Sequence, residues 1–387
     1  MRHARHLNLC LLLVATVGCA TTTGTTRELR FPPMHVVAGP QLPDALDSYD
    51  DKTLFERGVE FLDASANEEA LLYFGRLVVQ FPESSFVKPS YYNLGVALSN
   101  LHRCEEALEK FDIYLGILDE GSEYQDSVDA RFKKGVCLAE LGRYQEVAEQ
   151  YDLMLVEEQL RDADRVEALV DSGIGHFMLG DPVTAEYRMR DAIRLHRNAE
   201  RLQRLESDYH IAQAHFYIGE IYRAEFSRLK LTLPPPGEDQ KEQMASQLED
   251  KCQRLLSAQY AYIRAIKIGN SGWATAAGYK IGTLYEELYD DMVNLPVPDD
   301  LDSEQAQLYL VELKKRVHVL VKKAILVWER SLDMANRTGS DNEWVRRTET
   351  SLERLRSLLQ QDEELFQAAD ADSAPASGPA TGSEGGA

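Results

Sequence analysis

Thiols and imidazoles are the side chains best suited to nucleophilic or metal chemistry in this sequence, and their spacing supports neither. There are five Cys and nine His. His210 and His215 stand five residues apart, off the i, i+4 register that would set both on one helix face as a metal pair. Cys104, Cys137 and Cys252 are scattered without a CxxC pair, which reads as inert buried thiols. A Cys104–Cys137 disulfide would suit an oxidising compartment, since the two lie in neighbouring segments, but spacing alone does not establish it. No GxSxG, phosphate-binding loop or HExxH motif occurs. The acids are scattered, as solvating charges on helical faces are. The reading is therefore of a non-enzyme, without catalytic residues, metal, cofactor or small-molecule substrate. Cys19 has a more telling context. Arg2 and Arg5 precede an apolar run from Leu7 to Val14, broken only by Asn8, and small residues lead from it into the Cys.

That run is too short to span a bilayer and reads as a targeting segment over residues 1–19. Its end, Thr16-Val17-Gly18-Cys19, resembles the lipobox of bacterial lipoproteins, with Thr16 where such boxes usually carry Leu. The resemblance implies cleavage before Cys19 and acylation of that residue, palmitate being among the lipids. Ala at position 20, where Asp would retain a lipoprotein in the inner membrane, implies the periplasmic side of the outer membrane. The alternative is an ordinary secretory signal cut after Ala20, giving a soluble periplasmic protein. Residues 20–50 carry Pro32, Pro33, Pro40 and Pro43 with no helical period, and read as a flexible tether. At the other end, residues 361–387 read as a disordered acidic tail.

Between these ends the chain repeats one pattern. A Gly is followed twelve residues later by a small apolar residue: Gly58 and Ala70, Gly95 and Ala107, Gly135 and Val147, Gly173 and Ala185. Four residues after each second marker stands Phe74, Phe111, Tyr151 or Met189. The Gly markers recur at 37, 40 and 38 residues, a period that signals stacked supersecondary units. The spacing predicts antiparallel helical hairpins in which Gly faces Ala and the large residue fills the wedge to the next hairpin. The segments YYNLGVALSNLHRCEEALEKF, ARFKKGVCLAELGRYQEVAEQY and DSGIGHFMLGDPVTAEYRM resemble tetratricopeptide (TPR) repeats, and the first repeat keeps a closing Pro82. Ser65 and His102 stand where such repeats carry a turn glycine. The implied fold is an all-α, TPR-like solenoid with four repeats over 51–200.

The period then lengthens. Gly219 finds its partner at Ala258 and Gly282 at Ala324, which predicts two elongated hairpins, with Tyr262 and Trp328 in the wedges. An amphipathic helix from about Asn342 to Leu359 caps the open end, so residues 201–360 form a second region. These long hairpins with proline-bearing loops, closing with DNEWVRRTETSLERL, are similar to TPR lipoproteins of the myxobacterial gliding-motility machinery. A net charge of −22 excludes a nucleic-acid partner, because phosphate binding needs a basic face.

In a TPR array the first helix of each repeat lines a groove, with positions counted from the marker Gly. Those positions are Tyr92, Val96, Ser99 and Asn100, then Phe132, Val136, Ala139 and Glu140. Repeat four adds Val170, Ile174, Phe177 and Met178, and the fifth unit Phe216, Glu220 and Arg223. Few bases appear, so an extended or helical peptide fits better than a phosphate. The functional expectation is a non-catalytic scaffold: an outer-membrane lipoprotein binding another envelope protein, within a gliding-motility complex. Pilotin-like or outer-membrane assembly roles are the alternatives, followed by a cell-wall enzyme carried on a solenoid.

Overall fold

The computed structural model describes residue 46 and residues 48–118, 123–200, 208–234, 240–297 and 301–373. Among them are thirteen helices and no strand. The targeting segment with Cys19, nearly all of the expected tether and the last fourteen residues of the expected tail lie outside the described residues. The chain divides into two compact units, Met1–Glu206 and Ser207–Ala387.

The first unit holds four hairpins. They pair α1 (Asp51–Asp63) with α2 (Asn67–Gln80), and α3 (Val87–Asn100) with α4 (Cys104–Gly116). Next come α5 (Tyr124–Glu140) with α6 (Tyr144–Leu155), and α7 (Asp162–Met178) with α8 (Pro182–Glu200). One backbone motif makes all four turns. Ser65, His102, Gly142 and Gly180 take positive φ of 59°, 58°, 72° and 83°. The next N–H then returns to a carbonyl five residues back: Ala66 to Phe61 at 2.8 Å, and Arg103 to Leu98, Arg143 to Leu138 and Asp181 to His176 at 2.9 Å. This is the Schellman closure, which satisfies carbonyls that a helix end leaves unpaired.

The close helix contact is tighter than the expected Gly-to-Ala approach alone. The large residue itself lies on the glycine. A Cβ added at Gly58 would meet Phe74 Cε1 at 2.6 Å, and one at Gly95 would meet Phe111 Cε1 at 2.6 Å. Gly135 is covered in the same way by Tyr151 and Gly173 by Met189. A ring laid on bare backbone gains more contact than a methyl group does, so the hairpin closes around it. Ala70, Ala107 and Ala185 are buried as well, and at Gly173 the Ala185 carbonyl also comes within 3.2 Å of the added Cβ. The end of the expected tether also joins the fold. Leu46 and Tyr49 pack on the first hairpin's core, with the Tyr49 ring stacked on Tyr73 at 6.4 Å, and Asp50 caps α1 by accepting the Thr53 N–H at 2.8 Å.

The second unit contains α9 (Tyr209–Arg228), α10 (Gln240–Ile268), α11 (Ser271–Val293), α12 (Ser303–Thr338) and α13 (Glu343–Ser373). The two elongated hairpins pair α9 with α10 and α11 with α12. The ring-on-glycine device recurs in both, Tyr262 on Gly219 and Trp328 on Gly282, and Trp328 Nε1 donates to the Tyr279 carbonyl at 3.0 Å. Helix α12 opens on a capping box. Asp302 accepts the Gln305 N–H at 2.9 Å while the Gln305 side chain accepts the Asp302 N–H at 3.1 Å. Gly339 ends it at φ 65°.

Helix α13 packs on both α11 and α12, as a cap should, but it runs well past the expected end at Leu359. The expected disordered tail therefore begins too early. Asp362 is 1% exposed and accepts hydrogen bonds from the Tyr289 hydroxyl at 2.6 Å and Lys314 Nζ at 2.9 Å. Two donors on different helices converge on a carboxylate that sequence composition alone assigns to a solvated terminus.

Candidate functional site

In the first unit the first helices touch one another in order, α1 with α3, α3 with α5 and α5 with α7. Each of α2, α4 and α6 is wedged between its own partner and the first helix of the next hairpin. The first helices thus form a continuous layer, and its register is held by polar ties between hairpins. Asn100 Nδ2 donates to Asn67 Oδ1 at 3.0 Å, His102 Nδ1 pairs with Glu140 at 2.8 Å, and Lys88 reaches Glu123 at 2.8 Å. Gln125 and Arg143 make similar ties to Asp164 and Glu105, both at 3.2 Å.

The expected groove residues divide by exposure. Val136 is 43% exposed, Asn100 is exposed, and Val96, Phe177 and Met178 are half-buried on the same layer. Tyr92 and Phe132 are anchored more deeply. The Tyr92 ring meets Phe111 at 6.1 Å and Tyr114 at 5.3 Å, and burial, with Asp129 and Asp126 adding to it, pushes its phenol up to about 12. Phe132 tilts onto Tyr151 at 5.6 Å. Val170 and Ile174 are core residues, at 0% and 6% exposure, because α7 turns them toward neighbouring helices. Of the expected groove residues in the fourth repeat, Phe177 and Met178 are the half-buried pair.

Phe216, Glu220 and Arg223 belong to the second unit, where Phe216 and Glu220 are buried and so do not line an open groove. Phe216 is enclosed by Trp273, Tyr262 and Trp344, with ring centroids at 5.1, 5.6 and 6.4 Å. Glu220 is a buried ion-pair partner. It accepts the Tyr262 hydroxyl at 2.5 Å and Lys280 Nζ at 2.9 Å, with Arg223 Nε at 3.4 Å. Burial raises its pKa, but Lys280 and Arg223 outweigh this and hold the carboxyl at about 2. Lys280, the one charge in AAGYKIG, is the feature of the sequence that could have marked this centre. Lys251 carries no comparable signal. It is fully buried, donates to the Phe226 and Leu229 carbonyls at 2.9 and 2.7 Å, and pairs with Asp291 at 2.6 Å. Its charge thereby completes the C-terminus of α9.

One cluster brings together Ser, His and Asp. Asp152 accepts the Ser172 hydroxyl at 2.6 Å, His176 Nε2 at 3.0 Å and Arg188 at 2.9 Å. Burial pushes the Asp152 carboxyl up, and the bonds from Ser172 and His176 with the Arg188 charge bring it below its ordinary value. Ser172 is fully buried and spends its proton on the carboxylate, so the arrangement ties three helices and presents no nucleophile. Among the described residues, no group of three or more His, Cys, Asp or Glu is placed to hold a metal ion. A cavity of about 260 Å³ beside Tyr279 and Arg347 is below the usual size of a small-molecule site.

No family model and no curated protein matches the chain. Among solved structures, it is similar to a tetratricopeptide repeat protein from Parabacteroides merdae, at 13% identity over 81% of this chain and 98% of that one, with a TM-score of 0.37. It is also similar to a TPR repeats protein from Bacteroides fragilis, at 13% identity over 80% and 99% of the two chains, TM-score 0.28. A third is Rap protein complexed with Competence and Sporulation Factor, at 12% identity over 83% and 80%, TM-score 0.36. The fold assignment rests on the hairpins themselves. This chain is an all-α protein of TPR-like stacked hairpins.

Proposed function

We propose that this protein is a non-catalytic scaffold whose first-helix layer, in the first unit, holds an extended or helical segment of another envelope protein. The observation that carries the reading is the open strip on α3, α5 and α7. Val96, Val136, Phe177 and Met178 are left partly uncovered on helices that touch one another, beside the polar side chain of Asn100. Apolar anchors with an amide at the edge suit a peptide backbone and its side chains. The same residues would be poor at holding a phosphate or a charged small molecule.

In this reading Cys19 carries the lipid that fixes the protein to the periplasmic face of the outer membrane, and residues 20–45 supply reach. The long hairpins favour a place in a gliding-motility complex of the envelope. No helix of the described residues is long and apolar enough to cross a membrane.

Two experiments test the two halves separately. Val136→Glu and Phe177→Glu are expected to weaken capture of the cross-linked envelope partner at least about thirtyfold, since losing a desolvated anchor costs about 2 kcal/mol. Circular dichroism of each variant should show retained helicity, so that lost capture is not lost fold. Undiminished capture by folded Val136 and Phe177 variants would move the binding site off this layer. Cys19→Ala should either release the protein into the soluble periplasm or leave it uncleaved. Persistent outer-membrane fractionation of that variant in high salt would sink the anchoring half alone.

A further inference from the structure

Helix α4 begins with Cys104, and Cys137 lies near the end of α5, the first helix of the next repeat. The two helices pack together, and both thiols enter one hydrophobic cluster with Leu98, Leu138 and Val147. Cys104 is 2% exposed and Cys137 0%. Each thiol is the first influence on the other's acidity, as befits neighbours within one buried cluster, and Ser99 also acts on Cys137. Both are free thiols, as is Cys252, which is only half-buried and lies in the other unit.

We propose that Cys104 and Cys137 are a cross-link site, closing a disulfide between the second and third repeats when the chain folds in the presence of a disulfide oxidant. Two thiols buried in one cluster on helices that pack together are candidates for a bond, whereas most cysteine pairs in a fold are excluded by distance. The chemistry is thiol–disulfide exchange. The Cys137 thiolate attacks one sulfur of oxidised glutathione, and one glutathione thiolate leaves. Cys104, as thiolate, then attacks the Cys137 sulfur of the mixed disulfide, and the second glutathione thiolate leaves. The two departing thiolates take up the two protons lost by the cysteines, so one disulfide is reduced as another forms.

The native environment distinguishes the two thiols. The bonds from Cys104 and Ser99 draw the Cys137 thiol below its ordinary value, while Cys104, donating within the pair and buried, is pushed up. Burial also sets the timing. With neither sulfur open to solvent, the bond forms, and is reduced again, only during folding or through local opening of the repeat. An oxidising compartment, the one expected from the targeting segment, would close it as the chain folds. The bond would tie α4 to α5 across a repeat boundary, beside Tyr92, Val96 and Phe132, which pack on the same cluster. This cross-link does not depend on the peptide-binding reading.

The test refolds the full chain from denaturant with and without oxidised glutathione, followed by digestion and mass spectrometry. The expected product is a linked peptide pair containing Cys104 and Cys137, lighter than the two reduced peptides by two hydrogen atoms. The oxidised protein should melt higher than the same sample refolded reduced, by about 5 °C or more for a loop of roughly thirty residues. Cys104→Ala and Cys137→Ala should each abolish both results, and Cys252→Ser neither. Circular dichroism establishes that the two Ala variants fold, and the wild-type peptide map stands without them. Glutathione adducts on separate cysteines without the link would overturn the proposal, as would a linked protein that melts lower than the reduced one.

Discussion

An alanine at position 95 would place its methyl 2.6 Å from Phe111 Cε1, closer than carbon atoms can pack. Either the ring turns out of its site or α3 and α4 separate. Overpacking of this kind costs about 1–3 kcal/mol. Gly95→Ala should therefore lower stability by that amount in thermal or denaturant unfolding, and Phe111→Leu in the same chain should recover part of it. Gly75, on α2, is the control, because nothing lies within 4 Å of a Cβ added there. Gly75→Ala is expected to be neutral or to stabilise by up to about 1 kcal/mol, the helix-propensity difference. Equal losses in both variants would mean that the ring contact is not what makes the marker glycine necessary.

At the scale of elements, helix α13 is secured by a carboxylate on its own far half. A chain ending at Gln360 loses Asp362, leaving Tyr289 and Lys314 without the acceptor they share, and it loses the Phe366 ring that packs on His318 at 5.4 Å. Removing one partner of a buried, hydrogen-bonded charge costs about 3–5 kcal/mol, less here because Lys314 is partly exposed. The truncation should lower the melting temperature of the second unit by several degrees. An unchanged melting curve would restore the solvated-tail reading of residues 361–373.

The α9–α11 contact carries a second buried carboxylate and gives a pH dependence. Glu220 is held at about 2 in the folded state, below the value of about 4.3 it has in an unfolded chain. Below that unfolded value the unfolded state binds more protons. The contribution is complete above about pH 4.5 and is lost as pH falls from there toward 2, an effect on the order of 1–3 kcal/mol. Unfolding followed at pH 7, 4.5 and 2.5 should show it. Glu220→Gln is expected to be less stable than wild type at pH 7, since Lys280 is left buried without its counter-charge, and to lose less on acidification. A parallel fall in both proteins would place the acid sensitivity elsewhere.

The molecule as a whole is two units with separate cores, so unfolding should not be a single event. Calorimetry is expected to resolve two transitions, with Gly95→Ala moving one and Gly219→Ala the other. Gly219 is placed for this because its added Cβ would meet Tyr262 at 2.5 Å, within the second unit. One transition shifted equally by both variants would show that the units melt as one body.

What the sequence by itself determined was the hairpin, and with it the all-α class and the first-helix layer. A close approach needs a missing side chain and a large one at a constant offset, and both are visible as Gly58 and Phe74, Gly95 and Phe111, or Gly135 and Tyr151. The turns were legible for the same reason, since Ser65 and His102 take the same left-handed backbone as Gly142 and Gly180. Only the tertiary structure decided which large residue touches which glycine and which first-helix residues stay open. Val136 and Ile174 occupy equivalent kinds of position, yet one is 43% exposed and the other 6%. It also decided that Glu220 and Asp362 are interior charges. Helical period says which face a residue shares, but exposure depends on what another helix brings to that face. For Glu220 the covering groups come from Tyr262 and Lys280, distant in sequence, and no local pattern records them.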